Sequence, residues 1–224
     1  MTMAQRSLPS RLWYEFVRYA LRFGMGLAYR LRYTGRENVP SEGGVLAVCN
    51  HQSHFDPPLV GAGCPRRMNY IARDTLFWLG PFRWFITSLD AIPIDRDGIR
   101  LAGIKETLRR LKRGEMVLIF PEGTRSRDGD VGTFRPGFST LAVRGRAAIL
   151  PVAIEGAFQA WPRWQKLPRL GTIHIHYGTP MFPEEIQQYE EGELIKELEK
   201  RIRRYQAQLR EHPAFARRRH TRRR

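Results

Sequence analysis

A chain of 224 residues with 42% hydrophobic content is long enough to bury one sizeable core, and its length is one that a single α/β domain commonly uses. Its 38 Lys and Arg against 22 Asp and Glu leave a net charge of +16, which implies attraction to phosphate-bearing partners without choosing among nucleic acid, anionic lipid and a nucleotide-like molecule. Two cysteines, Cys49 and Cys64, argue against a disulfide framework, and no run of about 20 apolar residues free of charge is present to form a classical membrane-spanning helix. The N-terminus lacks the uninterrupted apolar region of a secretory signal, so the expected place is the cytoplasm or a membrane surface facing it.

From Ser10 to about Arg32 apolar residues recur at steps of three and four (Leu12, Phe16, Ala20, Phe23, Leu27, Leu31), while Glu15, Arg18 and Arg22 take another face. This predicts an amphipathic helix, bent at Gly24 or Gly26. Its aromatic side chains together with Arg11, Arg18, Arg22, Arg30 and Arg32 have the composition of a helix lying among lipid headgroups; packing on the protein's own core is the alternative. The expected division is therefore a membrane-interface helix over residues 1–33, a main domain over 34–212 and a disordered basic tail over 213–224.

Tyr33 to Gly44, with Gly35, Pro40 and Gly43, reads as an extended segment and a turn before the apolar strand Val45 to Cys49. A short helix is expected from Asp56 to about Gly63, and a second buried strand over Met68 to Ala72. Leu76 to Phe85 is an aromatic helical region interrupted by Gly80-Pro81; it reads as core, with an acyl-chain tunnel or contact with lipid as the other reading. Ala91 to Arg96 is a strand ending in an arginine, Gly98 to Arg113 a helix stopped by Gly114, and Met116 to Phe120 an apolar strand. Phe138 to Arg146 is a short helix and Ala148 to Ile154 a strand in which Pro151 suggests an edge or a bulge. A loop over Ala157 to Leu170 leads to a last strand, Thr172 to Tyr177, whose His174 and His176 share a face and read as ordinary strand histidines or a metal pair. Glu184 to about Glu211 is a mixed-charge helix, acids early and bases late. Strands alternating with helices imply an α/β single domain with a mixed, mostly parallel central sheet flanked by helices, in which function collects beyond the strand carboxyl ends.

Three polar clusters fall at such ends. In Asn50-His51-Gln52-Ser53-His54-Phe55-Asp56 a histidine precedes a carboxylate by five positions. An imidazole can take a proton near neutral pH, and a carboxylate on its other ring nitrogen fixes the tautomer and stabilises the imidazolium. On one continuous helix five residues turn about 500°, leaving the two side chains about 140° apart. The pair therefore needs a turn, which Pro57 and Pro58 fit. A loop histidine beside a surface acid, or metal ligation by His51, His54 and Asp56, suits the same residues, although no cysteine or carboxylate cluster nearby completes a metal set. The other clusters are Arg96, and Pro121-Glu122-Gly123-Thr124-Arg125-Ser126 after the strand at Met116.

The first cluster resembles the N-H-x-S-x-x-D block of the glycerolipid (lysophospholipid) acyltransferase superfamily. Phe120 to Ser126 is similar to its F-P-E-G-T-R-S block without a mismatch, and Ala147 to Val152 to its fourth block, an apolar strand carrying proline. The second block, G-x-x-F-I-x-R, is matched at Ile94 and Arg96, with Asp90 in place of glycine and Pro93 in place of phenylalanine. The resemblance spans Gly44 to Ile154 in the family's order and spacing. It implies transfer of a fatty acyl group from an acyl thioester, acyl-CoA or acyl carrier protein, to the sn-2 hydroxyl of lysophosphatidic acid, with no resident cofactor or metal. It further implies that His51 is the base and Asp56 its orienter, that Arg96 and Arg125 bind the acceptor phosphate, and that Glu122 meets glycerol hydroxyls or holds an arginine. Gly123 and Thr124 would bring main-chain amides to the phosphate. The implied partners are anionic membrane lipids at the cytoplasmic face of the membrane, with no nucleic acid. Another lysophospholipid, glycerol 3-phosphate or an aminolipid is the alternative acceptor, and a basic membrane- or nucleic-acid-binding protein is the non-enzymatic alternative.

Overall fold

The computed structural model of the protein describes residues 7–94 and 101–212. Arg96 and the basic tail lie outside the described residues. Seven strands form one sheet in the order β1-β7-β6-β2-β5-β3-β4, with β1 Tyr29–Thr34, β2 Val45–Cys49, β3 Met68–Arg73, β4 Ala91–Ile94, β5 Met116–Ile119, β6 Ala148–Glu155 and β7 Gly171–Tyr177. Every neighbouring pair is parallel except β6 with β7. The central strands β2, β5 and β6 are buried along their whole length, which is why their sequences are continuous apolar runs rather than alternating ones.

Helices cover both faces. On one, α4 (Leu101–Lys112), α5 (Phe138–Gly145) and α8 (Glu191–Glu211) bury a core that includes Leu46, Ile149, Leu198 and Ile202. On the other, α2 (Asp56–Gly63) and the end of α1 (Leu8–Ala28) cover Ala47, Leu118, Ile154 and Ile175. Truncating any one of the fully buried Leu or Ile side chains to alanine is expected to cost about 2–5 kcal/mol. The connections also carry α3 (Gly80–Ser88), α6 (Ala157–Ala160) and α7 (Pro183–Ile186).

Five details differ from the sequence reading, the simplest being that the expected loop over Ala157 to Leu170 opens with the short helix α6. The first helix stops at Ala28, and Tyr29–Thr34 continues as β1, a sheet strand in register with Gly171 to His176. Leu27 and Leu31 extend the helical spacing, yet pairing with β7 decides the conformation. Pro151 lies inside β6, opposite Val48 of β2, and not at an edge. Its carbonyl accepts from Gly178 N–H at 2.8 Å, so its missing N–H faces away from β2, toward the segment that follows β7, and the parallel ladder with β2 keeps its bonds. The aromatic segment is not core: Trp78 is 78% and Trp84 64% exposed. The C-terminal mixed-charge segment is two helices, α7 and α8, with a break over residues 187–190.

Candidate active site

β2 delivers its last residues into a tight loop closed by the first turn of α2. Asn50 fixes the strand end to β6: its side-chain amide donates to Ile154 O at 3.0 Å and accepts from Ile154 N–H at 2.8 Å, repeating a strand pairing with a side chain. Ser53 donates to Trp161 O at 2.9 Å and accepts from Phe55 N–H at 3.2 Å, so its hydroxyl serves the turn. Asp56 then opens α2, with Pro57 and Pro58 in the first turn, where a missing N–H breaks no helical bond.

The turn brings the two predicted partners together. His51 Nδ1 lies 2.7 Å from Asp56 Oδ2, and the same oxygen accepts Gln52 N–H at 2.5 Å and Ser53 N–H at 2.7 Å. Asp56 is fully buried, and two main-chain donors on one oxygen suit an ionised carboxylate. An ionised carboxylate only accepts, so Nδ1 carries the proton and Nε2 is left as the basic nitrogen. The ring keeps a partly exposed edge and stacks on Phe120, centroids 4.1 Å apart and planes 21° apart.

The segment after β5 braces this histidine from the far side. Glu122 Oε1 accepts His51 N–H at 3.0 Å, and Ser126 N–H donates to His51 O at 2.7 Å, so both main-chain groups of His51 are held by one loop. Glu122 is 6% exposed, with one carboxylate oxygen already taken by the His51 amide. Burial pushes its carboxyl up to about 7, against the His51 and Gly132 amides that favour its charge, with Asp56 pushing further upward. Gly123 turns the chain at φ +68°, where a Cβ would stand 2.8 Å from Arg135 Nε. Its own N–H donates to Phe120 O at 3.0 Å, so it offers the turn rather than an amide; Thr124 is exposed.

Arg125 is half-buried, and its Nη1 is buried with no protein acceptor. Burial first, then the charges of Arg163 and Arg73, push its guanidinium below the usual range. His54 is likewise pushed down by burial, then by Arg125 and His51. The structure thus gathers His51, Asp56, Glu122, Gly123, Thr124 and Arg125 at one end of the sheet and adds Arg73 and Arg163, which the sequence reading did not single out. Arg73 ends β3, so the rule of looking beyond strand carboxyl ends would have found it. Arg163 sits in an irregular loop with no comparable signal.

Cys49 is fully buried, and burial, then Asp56 and Glu122, raise its thiol well above the ordinary value, which leaves it unreactive. Of the two strand histidines, His176 Nδ1 meets Thr34 Oγ1 at 3.0 Å, and the His174 ring packs on that of His212 with centroids 4.7 Å apart. Among the described residues no group of three or more metal-ligating side chains is placed to hold an ion.

A base held by a carboxylate, next to clustered guanidiniums, can deprotonate a hydroxyl on a phosphate-bearing molecule. The chain is 31% identical over 172 residues to the 1-acyl-sn-glycerol-3-phosphate acyltransferase of Bacillus subtilis, covering 75% of this chain and 82% of that one. It is 35% identical over 191 residues to the enzyme of the same name from Pseudomonas aeruginosa, covering 79% and 71%. The crystal structure of the 1-acyl-sn-glycerophosphate (LPA) acyltransferase PlsC from Thermotoga maritima superposes with a TM-score of 0.81 at 26% identity, over 91% of this chain and 82% of that one. Residues 30–155, from β1 through the His51 loop and the Glu122 loop to the end of β6, match the family described as Acyltransferase, and the chain belongs to that family of enzymes.

Proposed function

We propose that the protein transfers a fatty acyl group from an acyl thioester, acyl-CoA or acyl carrier protein, to the sn-2 hydroxyl of 1-acyl-sn-glycerol 3-phosphate, forming phosphatidic acid for phospholipid synthesis. The observation that carries the reading is the His51–Asp56 pair with Nε2 available and the unpaired Arg125 nitrogen beside it. His51 Nε2 removes the proton from the acceptor hydroxyl as its oxygen attacks the thioester carbonyl carbon. The tetrahedral intermediate collapses, the C–S bond breaks, and His51 returns the proton to the departing thiolate, leaving an ester and a free thiol. Asp56 holds the ring and stabilises the imidazolium, and the substrate's hydroxyl is the nucleophile, so no acyl-enzyme forms.

The acceptor phosphate goes to Arg125, with Arg73 and Arg163 contributing charge and Arg96 assigned by motif alone. Thr124 offers a main-chain amide, and Glu122 keeps His51 in place rather than meeting glycerol. No resident cofactor is needed, since the thioester arrives activated. A peripheral seat at the cytoplasmic face of the membrane suits the exposed stripe of α1 and the overall charge of +16.

The test is thiol release by the purified protein from long-chain acyl-CoA with lysophosphatidic acid, with the product identified by mass and a panel of other lysophospholipids, glycerol 3-phosphate and aminolipids run alongside. His51→Ala should lower turnover by about 10²–10⁴-fold, and Asp56→Asn by about 10²-fold or more, both with unchanged circular dichroism. Full activity in folded His51→Ala protein would overturn the mechanism, and a better acceptor in the panel would replace lysophosphatidic acid.

A further inference from the structure

Two exposed apolar faces lie side by side on this molecule. Along α1, Leu8, Leu12, Phe16, Tyr19, Phe23 and Leu27 are each 58% exposed or more. At 3.6 residues per turn they fall within about 100° of arc, while Tyr14 and Val17 face the protein. Arg11 and Arg22, both exposed, border the stripe on one side. On the other side Trp13 reaches across to the second face, its ring 5.6 Å from that of Trp84 and its Nε1 donating to Ser88 Oγ at 2.9 Å. There Trp78, Leu79 and Trp84 are 78%, 62% and 64% exposed, next to an exposed Arg83.

The two faces have a fixed relation to the fold. The Tyr14 hydroxyl accepts Met68 N–H at 2.9 Å, and Arg67 lies over the Tyr14 ring at 4.3 Å while donating to Ser10 O at 3.0 Å and Asp90 Oδ2 at 2.6 Å. They also meet the active site at one end. α1 runs straight into Tyr29, whose ring lies 5.2 Å from Phe55 in the His51 loop. The 3-10 turn Asp74–Trp78 that carries the second face begins right after Arg73, at the carboxyl end of β3.

We infer that the Trp78–Trp84 segment is a second membrane contact, which with α1 forms one rigid platform seated in the headgroup layer of an anionic bilayer, its Trp78–Leu79 edge at the mouth of the active site. Apolar and aromatic side chains bordered by arginines fit lipid tails and anionic headgroups at one depth, whereas exposed faces of this size are unfavourable in water. The platform passes the acceptor lipid from the bilayer to His51 without full exposure to water. This rests on the acyl-transfer reading above only in its last step.

The experiment uses the full chain carrying Trp78→Ser and Leu79→Ser together, two exposed side chains outside the catalytic machinery, with Val143→Ser on α5 as an exposed apolar control. Binding is read by co-sedimentation with vesicles of phosphatidylglycerol and phosphatidylethanolamine. Acyl transfer is read on long-chain lysophosphatidic acid in those vesicles and on a short-chain, monomeric analogue. The double variant should bind vesicles about tenfold or more weakly and lose vesicle-borne turnover to match, while keeping its melting temperature and its turnover on the monomeric acceptor. The control should match wild type throughout. Vesicle binding equal to wild type, or equal losses on both acceptors, would overturn the platform. Wild-type protein that binds vesicles but acylates neither acceptor would sink the acyl-transfer reading and leave the docking surface standing.

Discussion

His51 is held at three points, by Asp56 on the ring, by Glu122 on its amide and by Ser126 on its carbonyl, so its basic nitrogen is placed before any substrate arrives. Glu122 gives this brace a pH signature. Its carboxyl titrates near 7 in the fold, mainly because it is buried, against an ordinary value of 4.5. Between those values the folded state keeps a proton that the unfolded chain has released, so the stability tied to this group is fully present below about 4.5 and is lost as pH rises through about 7. Glu122→Gln removes that titration. Urea unfolding across the window should show the stability difference moving in favour of the variant as pH rises and levelling off above 7; parallel curves for the two proteins would show that the brace is already ionised throughout. The histidine and its aspartate were legible in the sequence because they sit five positions apart on one turn. The bond between Glu122 and His51 spans 71 positions and exists only because β2 and β5 are neighbours in register, so the motif singled out the glutamate but not this main-chain partner.

Between elements, one buried knot ties α8 to the His51 loop. Glu155, at the end of β6, is 2% exposed, and its Oε2 accepts from Gln52 at 3.2 Å, Gln206 at 2.8 Å and Arg210 at 3.0 Å. Gly129 O takes a second bond from each of the same three side chains. Gln52 is also the residue whose amide holds Asp56, so α8 supports the base from behind. Arg210→Met leaves the Glu155 charge with two neutral amides for partners and should lower stability by about 1–3 kcal/mol, with a lower turnover. Adding Glu155→Gln removes the uncompensated charge and should recover most of that loss in thermal unfolding; a double variant worse than either single one would mean that the knot acts through packing alone. Sequence periodicity found most of these elements because buried parallel strands are plain apolar runs and α4 and α8 are strongly two-faced. It overran α1 into β1 because Leu27 and Leu31 keep the helical step while the competing partner, β7, lies about 140 positions away. It misplaced Pro151 because the fate of a neighbouring strand is not written in the strand that carries the proline.

Over the whole molecule, charge and apolar surface would act on the proposed bilayer by different physics. The sign of the charge was plain from composition, but Leu76 to Phe85 read as core because core and lipid select the same side chains, and only the fold shows that Trp78, Leu79 and Trp84 are left exposed. The two contributions separate by ionic strength. Attraction between arginines and anionic headgroups is worth about 1 kcal/mol per residue near the surface and is screened over about 10 Å at 0.1 M salt, whereas burial of Trp78 and Leu79 is not screened. Arg11→Gln with Arg22→Gln, both exposed beside the α1 stripe, should therefore weaken sedimentation with phosphatidylglycerol vesicles by about tenfold or more at low salt and far less at about 1 M, where the Debye length is about 3 Å. The Trp78→Ser, Leu79→Ser variant should lose the same factor at both. If the arginine variant loses as much at high salt as at low, its side chains act through their apolar stems, and electrostatic steering by this face is excluded.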